Sequence, residues 1–228
     1  MITIAIDGFS STGKSTIAKQ LAKHLGYVYV DTGAMYRAVA LYALNQGFIG
    51  ENFFEVEKLV ANLDKIEICF KYNPQTAISE TYLNGENVEK EIRSFEVSGY
   101  VSKVAEISEV RAKLVKEQQK MGKNKGIVMD GRDIGTVVFP DAELKLFITS
   151  KPEIRAQRRF EELTNKGEQV SFDEVLENVN QRDYIDTHRA DSPLKKADDA
   201  IEIDNSYLTK EQQFEEILRL VKERSDLN

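Results

Sequence analysis

Between positions 8 and 16 the chain reads Gly8-Phe9-Ser10-Ser11-Thr12-Gly13-Lys14-Ser15-Thr16. Residues of these types at this spacing hold phosphate chains. Glycines let the backbone curl so that N–H groups point inward, and a following helix N-terminus adds the positive end of its dipole. The setting agrees: the apolar run Ile2 to Ile6 precedes the segment, and Ile17, Ala18, Leu21, Ala22 and Leu25 form one helical face after it. The segment predicts a triphosphate site in which Lys14 reaches the β- and γ-phosphates and the Ser15 hydroxyl ligates Mg²⁺.

Two further constellations fall where strands end. Ile127-Val128-Met129 reads as a buried strand and runs into Asp130-Gly131-Arg132-Asp133. Open α/β sheets bind ligands at this carboxyl edge, so Asp130 is expected near the metal, directly or through water. Arg132, two residues on, has the planar fork that clamps a phosphate. In the same way Tyr27–Val30 leads into Asp31-Thr32-Gly33-Ala34-Met35-Tyr36-Arg37. That stretch opens a helix whose N-terminus favours anions, with Thr32 or Asp31 as its cap and Arg37 one turn in.

A third set is arginine. Arg155, Arg158 and Arg159 lie on one helical stretch, Arg182 and Arg189 on the next, joined by Asn165-Lys166-Gly167-Glu168-Gln169. Arginine-bearing helices hinged at a glycine tip read as a lid that expels water and brings charge to a transferring phosphoryl group. Arg182 and Arg189 are its leading candidates. The other three are equally compatible with a solvated face beside Glu161 and Glu162.

The chain lacks a protein-kinase catalytic loop, and a base for a hydroxyl acceptor is limited to Asp31 or Asp133. An acceptor that is itself a phosphate monoester, with a second pKa of about 6, needs no base. It needs cations to hold two anions together, and positioning and electrostatics then supply the catalysis. Two alternatives stand beside this reading: a kinase of a small hydroxylated metabolite with Asp31 as base, and a nucleotide-dependent binding switch.

The elements that must position these groups alternate strand and helix, the grammar of a parallel α/β sheet. Strands are expected at Ile2–Ile6, Tyr27–Val30, Ile127–Met129, Leu144–Thr149 and Ala200–Ile203. Helices are expected to about Gly26, over about 34–45, 97–105, 110–121, 153–165, from the Ser171 cap to about 187, and over about 209–224. A short helix takes in Leu59, Val60 and Leu63. Between about 64 and 90 the period changes to two, with a turn at Asn73-Pro74 and the hairpin dipeptide Asn84-Gly85. That stretch predicts a small antiparallel sheet inserted into the parallel protein.

At 228 residues and a net charge of −7 the chain fits a compact enzyme and not a general binder of nucleic acid or anionic membrane. No apolar stretch approaches the roughly 20 residues of a membrane span. The single cysteine, Cys69, forms no internal disulfide, is expected as a buried small hydrophobe, and points to a reducing compartment. The core strand starts at once, leaving no room for a signal peptide. One cysteine and two histidines exclude a structural zinc site.

In order, the phosphate loop, Asp31-Thr32-Gly33-Ala34-Met35-Tyr36-Arg37, the β insert, Ser102-Lys103-Val104-Ala105, the stretch from Asp130-Gly131-Arg132-Asp133 to Pro140, and the arginine lid resemble bacterial cytidylate kinases over essentially the full length. The stretch from Asp130 to Pro140 is the most specific part. The resemblance implies a P-loop NTPase fold, a single kinase domain over 1–228 with its core at 1–63, 97–152 and 190–228. It places a monophosphate-binding insert at about 64–96 and a lid at about 153–189. It implies phosphoryl transfer from ATP to CMP or dCMP with Mg²⁺. Beside it, the charge balance and cysteine usage predict a cytoplasmic protein that binds neither nucleic acid nor membrane. The lack of a long apolar stripe leans toward a monomer, with the oligomeric state open. Lys14, Arg132, Arg182 and Arg189 are implied as catalytic, and Arg158 joins Gly8–Thr16 in holding ATP. Ser102, Arg111 and Asp133 look like the residues facing cytosine, and Tyr36 and Asp186 like the ribose contacts. Arg37, Arg132, Arg182 and Arg189 look like the phosphate contacts, with Asp130 alongside, and Thr32 keeps a hydroxyl where the family usually has serine. Phe9 and Thr12 depart from many relatives, as does the lightly charged Tyr184-Ile185.

Overall fold

The computed structural model describes residues 1–73 and 78–225. In chain order the strands and helices are β1 (Thr3–Gly8), α1 (Lys14–Leu25), β2 (Val28–Asp31), α2 (Thr32–Asn45), β3 (Ile49–Gly50), β4 (Phe53–Phe54), α3 (Val56–Ala61), β5 (Ile68–Asn73), β6 (Ile78–Leu83), β7 (Glu86–Asn87), α4 (Phe95–Ala105), α5 (Ser108–Met121), β8 (Ile127–Gly131), β9 (Leu144–Thr149), α6 (Pro152–Asn165), α7 (Phe172–His188), β10 (Ile201–Asp204) and α8 (Lys210–Ser225). They form two compact units, residues 1–31 with 117–228, and residues 32–116.

The first unit is built on a sheet of order β10-β9-β1-β8-β2 in which all four pairings are parallel. β1 is buried along its whole length, as a strand covered on both faces must be. Ile4, Ile6, Val128, Leu146 and Ile148 from the strands pack with Ile17 and Leu21 of α1 and Ile217 and Leu220 of α8. Each such side chain, fully buried, contributes about 1.5–3 kcal/mol. α1 buries the stripe the sequence predicts, Ile17, Ala18, Leu21 and Ala22. α7 opens on a complete capping box, with Ser171 accepting from the Glu174 N–H and the Glu174 carboxylate reaching back to Ser171.

The register brings the carboxyl ends of the strands level. Ile6 and Asp31 both lie opposite Asp130, Asp7 lies opposite Gly131, and Gly8 opposite Ile148. β1 and β8 run two residues further than their apolar cores suggest, carrying Asp7, Gly8, Asp130 and Gly131 inside the sheet. After β8 comes a feature with no period to announce it, a five-residue π-helical turn at Ile134–Val138.

The second unit starts at Thr32 and so takes in far more chain than the β stretch from 64. α2 is buried on almost every side through Met35, Val39, Leu41 and Ala43 and packs with Leu59, Ile92, Val97, Val104, Val110 and Leu114. Thr32 is the first helical residue of α2 and not a residue ahead of it. The small antiparallel sheet has order β5-β6-β7, with Leu83 opposite Glu86 across the Asn84-Gly85 turn. The turn expected at Asn73-Pro74 reaches residues 74–77, outside the described residues. Cys69 departs from its expected burial and is half-buried: the period of two that buries Ile68 points its neighbour the other way. The two-residue strands β3 and β4 pair as a hairpin that alternation over so short a stretch does not reveal.

Gly8 makes a testable demand. Its φ of +143° already excludes most side chains, and an added Cβ would lie 2.0 Å from the Ile148 carbonyl oxygen of the neighbouring strand. Gly13, with φ +86°, faces open space. Thermal melts of Gly13→Ala are expected to show only the backbone cost of about 1–2 kcal/mol. Gly8→Ala should cost several times more, as a strand pairing must open; equal melting temperatures would contradict this.

Candidate active site

In the first unit the phosphate loop leaves β1 at Gly8 and enters α1 at Lys14. Ser11 adopts φ +57° and Gly13 φ +86°, the reversals that turn successive N–H groups inward. At the N-cap Gly13 has no side chain to occupy the first amides of α1; Thr16 N–H turns back to the Gly13 carbonyl at 3.1 Å, and the start of the helix favours an anion. Thr12 Oγ1 donates to the Phe9 carbonyl, 3.1 Å, and Lys14 Nζ donates to the same oxygen, 2.5 Å, with Thr12 Oγ1 at 3.5 Å.

Lys14 is buried, and burial is the main force pushing its pKa down to about 7; the Arg132 and Arg182 charges push the same way, and Asp130 and Asp7 only partly oppose them. The Arg132 and Arg182 charges therefore both act on the loop lysine. Asp130 is buried as well. It accepts a hydrogen bond from Ser15 Oγ at 2.9 Å on one oxygen and from the Tyr29 hydroxyl at 2.8 Å on the other. Burial, then Asp31, raises its pKa, against Lys14, Tyr29 and Ser15. Tyr29 was not singled out by sequence; it lies on β2, and its bond joins residues 101 positions apart.

Around the end of α7 the arginines divide into two groups. Arg132 Nε donates to Asp186 at 2.7 Å, and Arg189 Nη1 lies 4.0 Å from Asp186 and its Nη2 3.8 Å from Asp133. Arg189 also donates to the Ser192 carbonyl, 2.6 and 2.9 Å. Burial alone would raise the Asp186 pKa; Arg132, Arg182 and Arg189 together outweigh it and hold the carboxyl below its usual range. Arg155 is different: it is buried and bound in a bidentate pair to Asp183, 2.6 and 3.1 Å, with further bonds to the Ser150 and Ser10 carbonyls. Its guanidinium lies 5.1 Å from the Phe9 ring centre. Arg155 is thus a strut between the loop and α7, and Arg159 pairs with Glu162. Arg158 donates to the Asn205 side chain, 3.1 Å, and carbonyl, 2.9 Å, while Asn205 Nδ2 holds the Thr12 carbonyl at 2.6 Å. Asn205, just past β10, carries no motif and was not anticipated.

Asp7 is the other unanticipated group. Its buried carboxylate accepts from the Ile134 N–H at 2.8 Å and the Gly135 N–H at 2.7 Å. Burial pushes its pKa up to about 7 against those two bonds. A charged residue ending an apolar strand was its one visible signal.

In the second unit Tyr36 and Thr32 are buried on α2, Arg37 is half-buried beside them, and Ser102 is buried on α4. Arg111 on α5 is 2% exposed; its guanidinium lies 5.8 Å from the Tyr36 ring centre and donates to the Ala105 carbonyl at 3.2 Å. The expected residues Tyr36 and Arg111 therefore meet, although 75 positions separate them in sequence.

A glycine-rich loop leading into a helix at the carboxyl edge of a parallel sheet, with a buried lysine, a serine and an acidic strand end, defines a P-loop NTPase fold. A solved structure of an uncharacterized protein from Eubacterium ventriosum agrees in fold at TM-score 0.50 and 12% identity, covering 97% of this chain and 98% of that one. The cytidylate kinase family model matches residues 4–223. A relative named cytidylate kinase in Flavobacterium johnsoniae is 68% identical over 97% of this chain and 96% of its own. One of the same name in Bacteroides thetaiotaomicron is 60% identical over 94% and 93%. The chain belongs to the cytidylate kinase family.

The depressed pKa of Asp186 fixes a pH dependence. The stability from its ionised form is complete above the unfolded value of 3.8 and is lost as pH falls through the lower folded value. Urea titrations are expected to show Asp186→Asn less stable than the parent at pH 7, with the gap closing below about pH 4. A gap independent of pH would show that the carboxylate charge is not the source.

Proposed function

We propose that the protein transfers the γ-phosphoryl group of ATP to CMP or dCMP, giving ADP and the nucleoside diphosphate. The observation that carries the reading is the phosphate loop itself, with Lys14 buried against the Phe9 carbonyl and Ser15 bonded to Asp130. Beside it, the Arg132 and Arg182 charges add to burial in lowering the Lys14 pKa to about 7. Such a field suits a site meant for two polyanions. Bound phosphates would restore the Lys14 charge and let all three cations share the oxygens that gain charge during transfer. A phosphate acceptor needs no proton removed, so Asp31 is not required as a base, and family membership sets the hydroxylated-metabolite kinase aside.

In this reading Gly8 to Thr16 surround the donor phosphates and Arg158 supports the donor through Asn205 and the Thr12 carbonyl. Ser15 and Asp130 fit a magnesium ion: a hydroxyl and a carboxylate 2.9 Å apart are the hard oxygen donors that ion takes. When bound it neutralises phosphate charge. Tyr29 holds the second Asp130 oxygen and so sets the direction of the first. Arg37, Arg132, Arg182 and Arg189 hold the acceptor phosphate, and Tyr36, Asp186 and Thr32 the remainder of the nucleotide away from its base. Ser102, Arg111 and Asp133 read cytosine, whose N4 amino group donates to a carboxylate and whose N3 and O2 accept. Uracil presents an acceptor where cytosine presents N4, so Asp133 would meet it unpaired. Cys69 as the single cysteine is consistent with a cytoplasmic setting.

Coupled ADP release across a monophosphate panel tests the proposal. CMP and dCMP should turn over with kcat/KM at least about tenfold above UMP, AMP and GMP; preference for a purine monophosphate would overturn it. Asp133→Ala should reduce the CMP-to-UMP ratio more than it changes the KM for ATP.

A further inference from the structure

The π-helical turn that begins after Asp133 poses a problem of backbone bonding. The first amides of any helical turn lack partners within it, and burial makes an unpaired one costly. Here the first two, on Ile134 and Gly135, both end on the Asp7 carboxylate, one per oxygen. The Asp133 carbonyl in turn accepts from Val137 at 2.9 Å and Val138 at 3.2 Å. The peptide following Asp133 is thus fixed on its N–H side by Asp7 and on its carbonyl side by the turn. Asp133 itself sits at φ −143° and ψ 26°, with no side-chain cap bond to the turn it precedes. The usual capping task falls to Asp7 instead, and the Asp133 carboxylate lies 3.8 Å from Arg189 Nη2.

Gly135 shows how close this approach is. A Cβ there would lie 3.3 Å from Asp7 Oδ2 and 3.1 Å from Lys145 Cδ. A side chain at 135 would push Asp7 Oδ2 and the Lys145 stem aside by a few tenths of an ångström.

We infer that Asp7 is a positioning residue for base selection: by holding the Ile134 and Gly135 amides it aims Asp133 at the pyrimidine. The inference rests on the reading of Asp133 as the carboxylate that faces the base. Asp7 also stands one residue before Gly8, so the strand that starts the donor loop sets the acceptor-reading segment as well. Asparagine is close to isosteric but offers one acceptor and one donor. In Asp7→Asn an NH₂ group would face a backbone N–H, and the turn must rotate to avoid it.

The test is kcat/KM for CMP and for UMP, at saturating ATP, in the parent, Asp7→Asn, Gly135→Ala, Asp133→Asn and the Asp7→Asn/Asp133→Asn double variant. Asp7→Asn is expected to lower the CMP-to-UMP ratio about tenfold, mainly through the KM for CMP. A purely structural role would lower both substrates alike. Gly135→Ala, which disturbs the same contact from the other side, should move the ratio in the same direction by less. In the Asp133→Asn background Asp7→Asn should leave the ratio unchanged, because the group it aims is gone. If Asp133→Asn lowers the ratio but neither Asp7→Asn nor Gly135→Ala does, the positioning role is wrong and the Asp133 reading stands. If Asp133→Asn leaves the ratio untouched, that reading falls and the inference with it. Should Asp7→Asn not fold, the Gly135→Ala ratio decides alone.

Discussion

Taking Asp7 and Asp130, at the ends of adjoining strands, and Lys14, at the start of α1, out of water is the constraint on which the first unit depends. Each is buried, and an isolated charge in that position would carry a desolvation cost of several kcal/mol. Hydrogen bonds offset much of that cost. It is spread over backbone amides for Asp7, two hydroxyls for Asp130, and a carbonyl and a hydroxyl for Lys14. Hydrogen bonds of this kind hold a group in place while leaving its charge responsive to what arrives. The price is visible in the proton affinities, with Asp7 pushed up and Lys14 down to about 7.

The same reasoning separates the arginines. Arg155 has a carboxylate partner in bidentate geometry and two carbonyls besides, so its bonding capacity is largely spent inside the protein. Arg132 and Arg189 share Asp186, and Arg189 also lies 3.8 Å from Asp133; the Arg132 charge still acts on Lys14 and lowers its pKa. Arg155 and Arg132 therefore differ in their partners, a bidentate carboxylate with two carbonyls against a single bond to Asp186 and one to a carbonyl, although both are arginines near one loop.

This difference explains what was legible in the sequence. The phosphate loop, the α1 stripe, the Ser171 cap and the Asn84-Gly85 turn are local: their partners lie within a few residues, and spacing displays them. Asp130 was legible because a strand end is itself a local signal. Tyr29, Asn205 and the Asp7 contact were not, since their partners lie 101, 193 and 127 positions away. Arg155 could not be told from Arg158 by helical spacing, because what distinguishes them is Asp183 on another helix. The π-helical turn has no hydrophobic period of its own and is stabilised by a carboxylate from β1.

β1 thus carries two duties that the chain keeps in adjacent residues. Gly8 must be glycine because the Ile148 backbone stands where a side chain would go, so the loop begins at a point the sheet fixes rigidly. Asp7, one residue earlier, shares that rigidity: its Cα is held between Gly131 and Phe147 on either side. A carboxylate mounted on a central strand moves less than one on a loop, and whatever it holds inherits that precision. An ordering contact for a segment with no internal period is best placed there, and the segment following Asp133 receives it from the strand that also launches the phosphate loop.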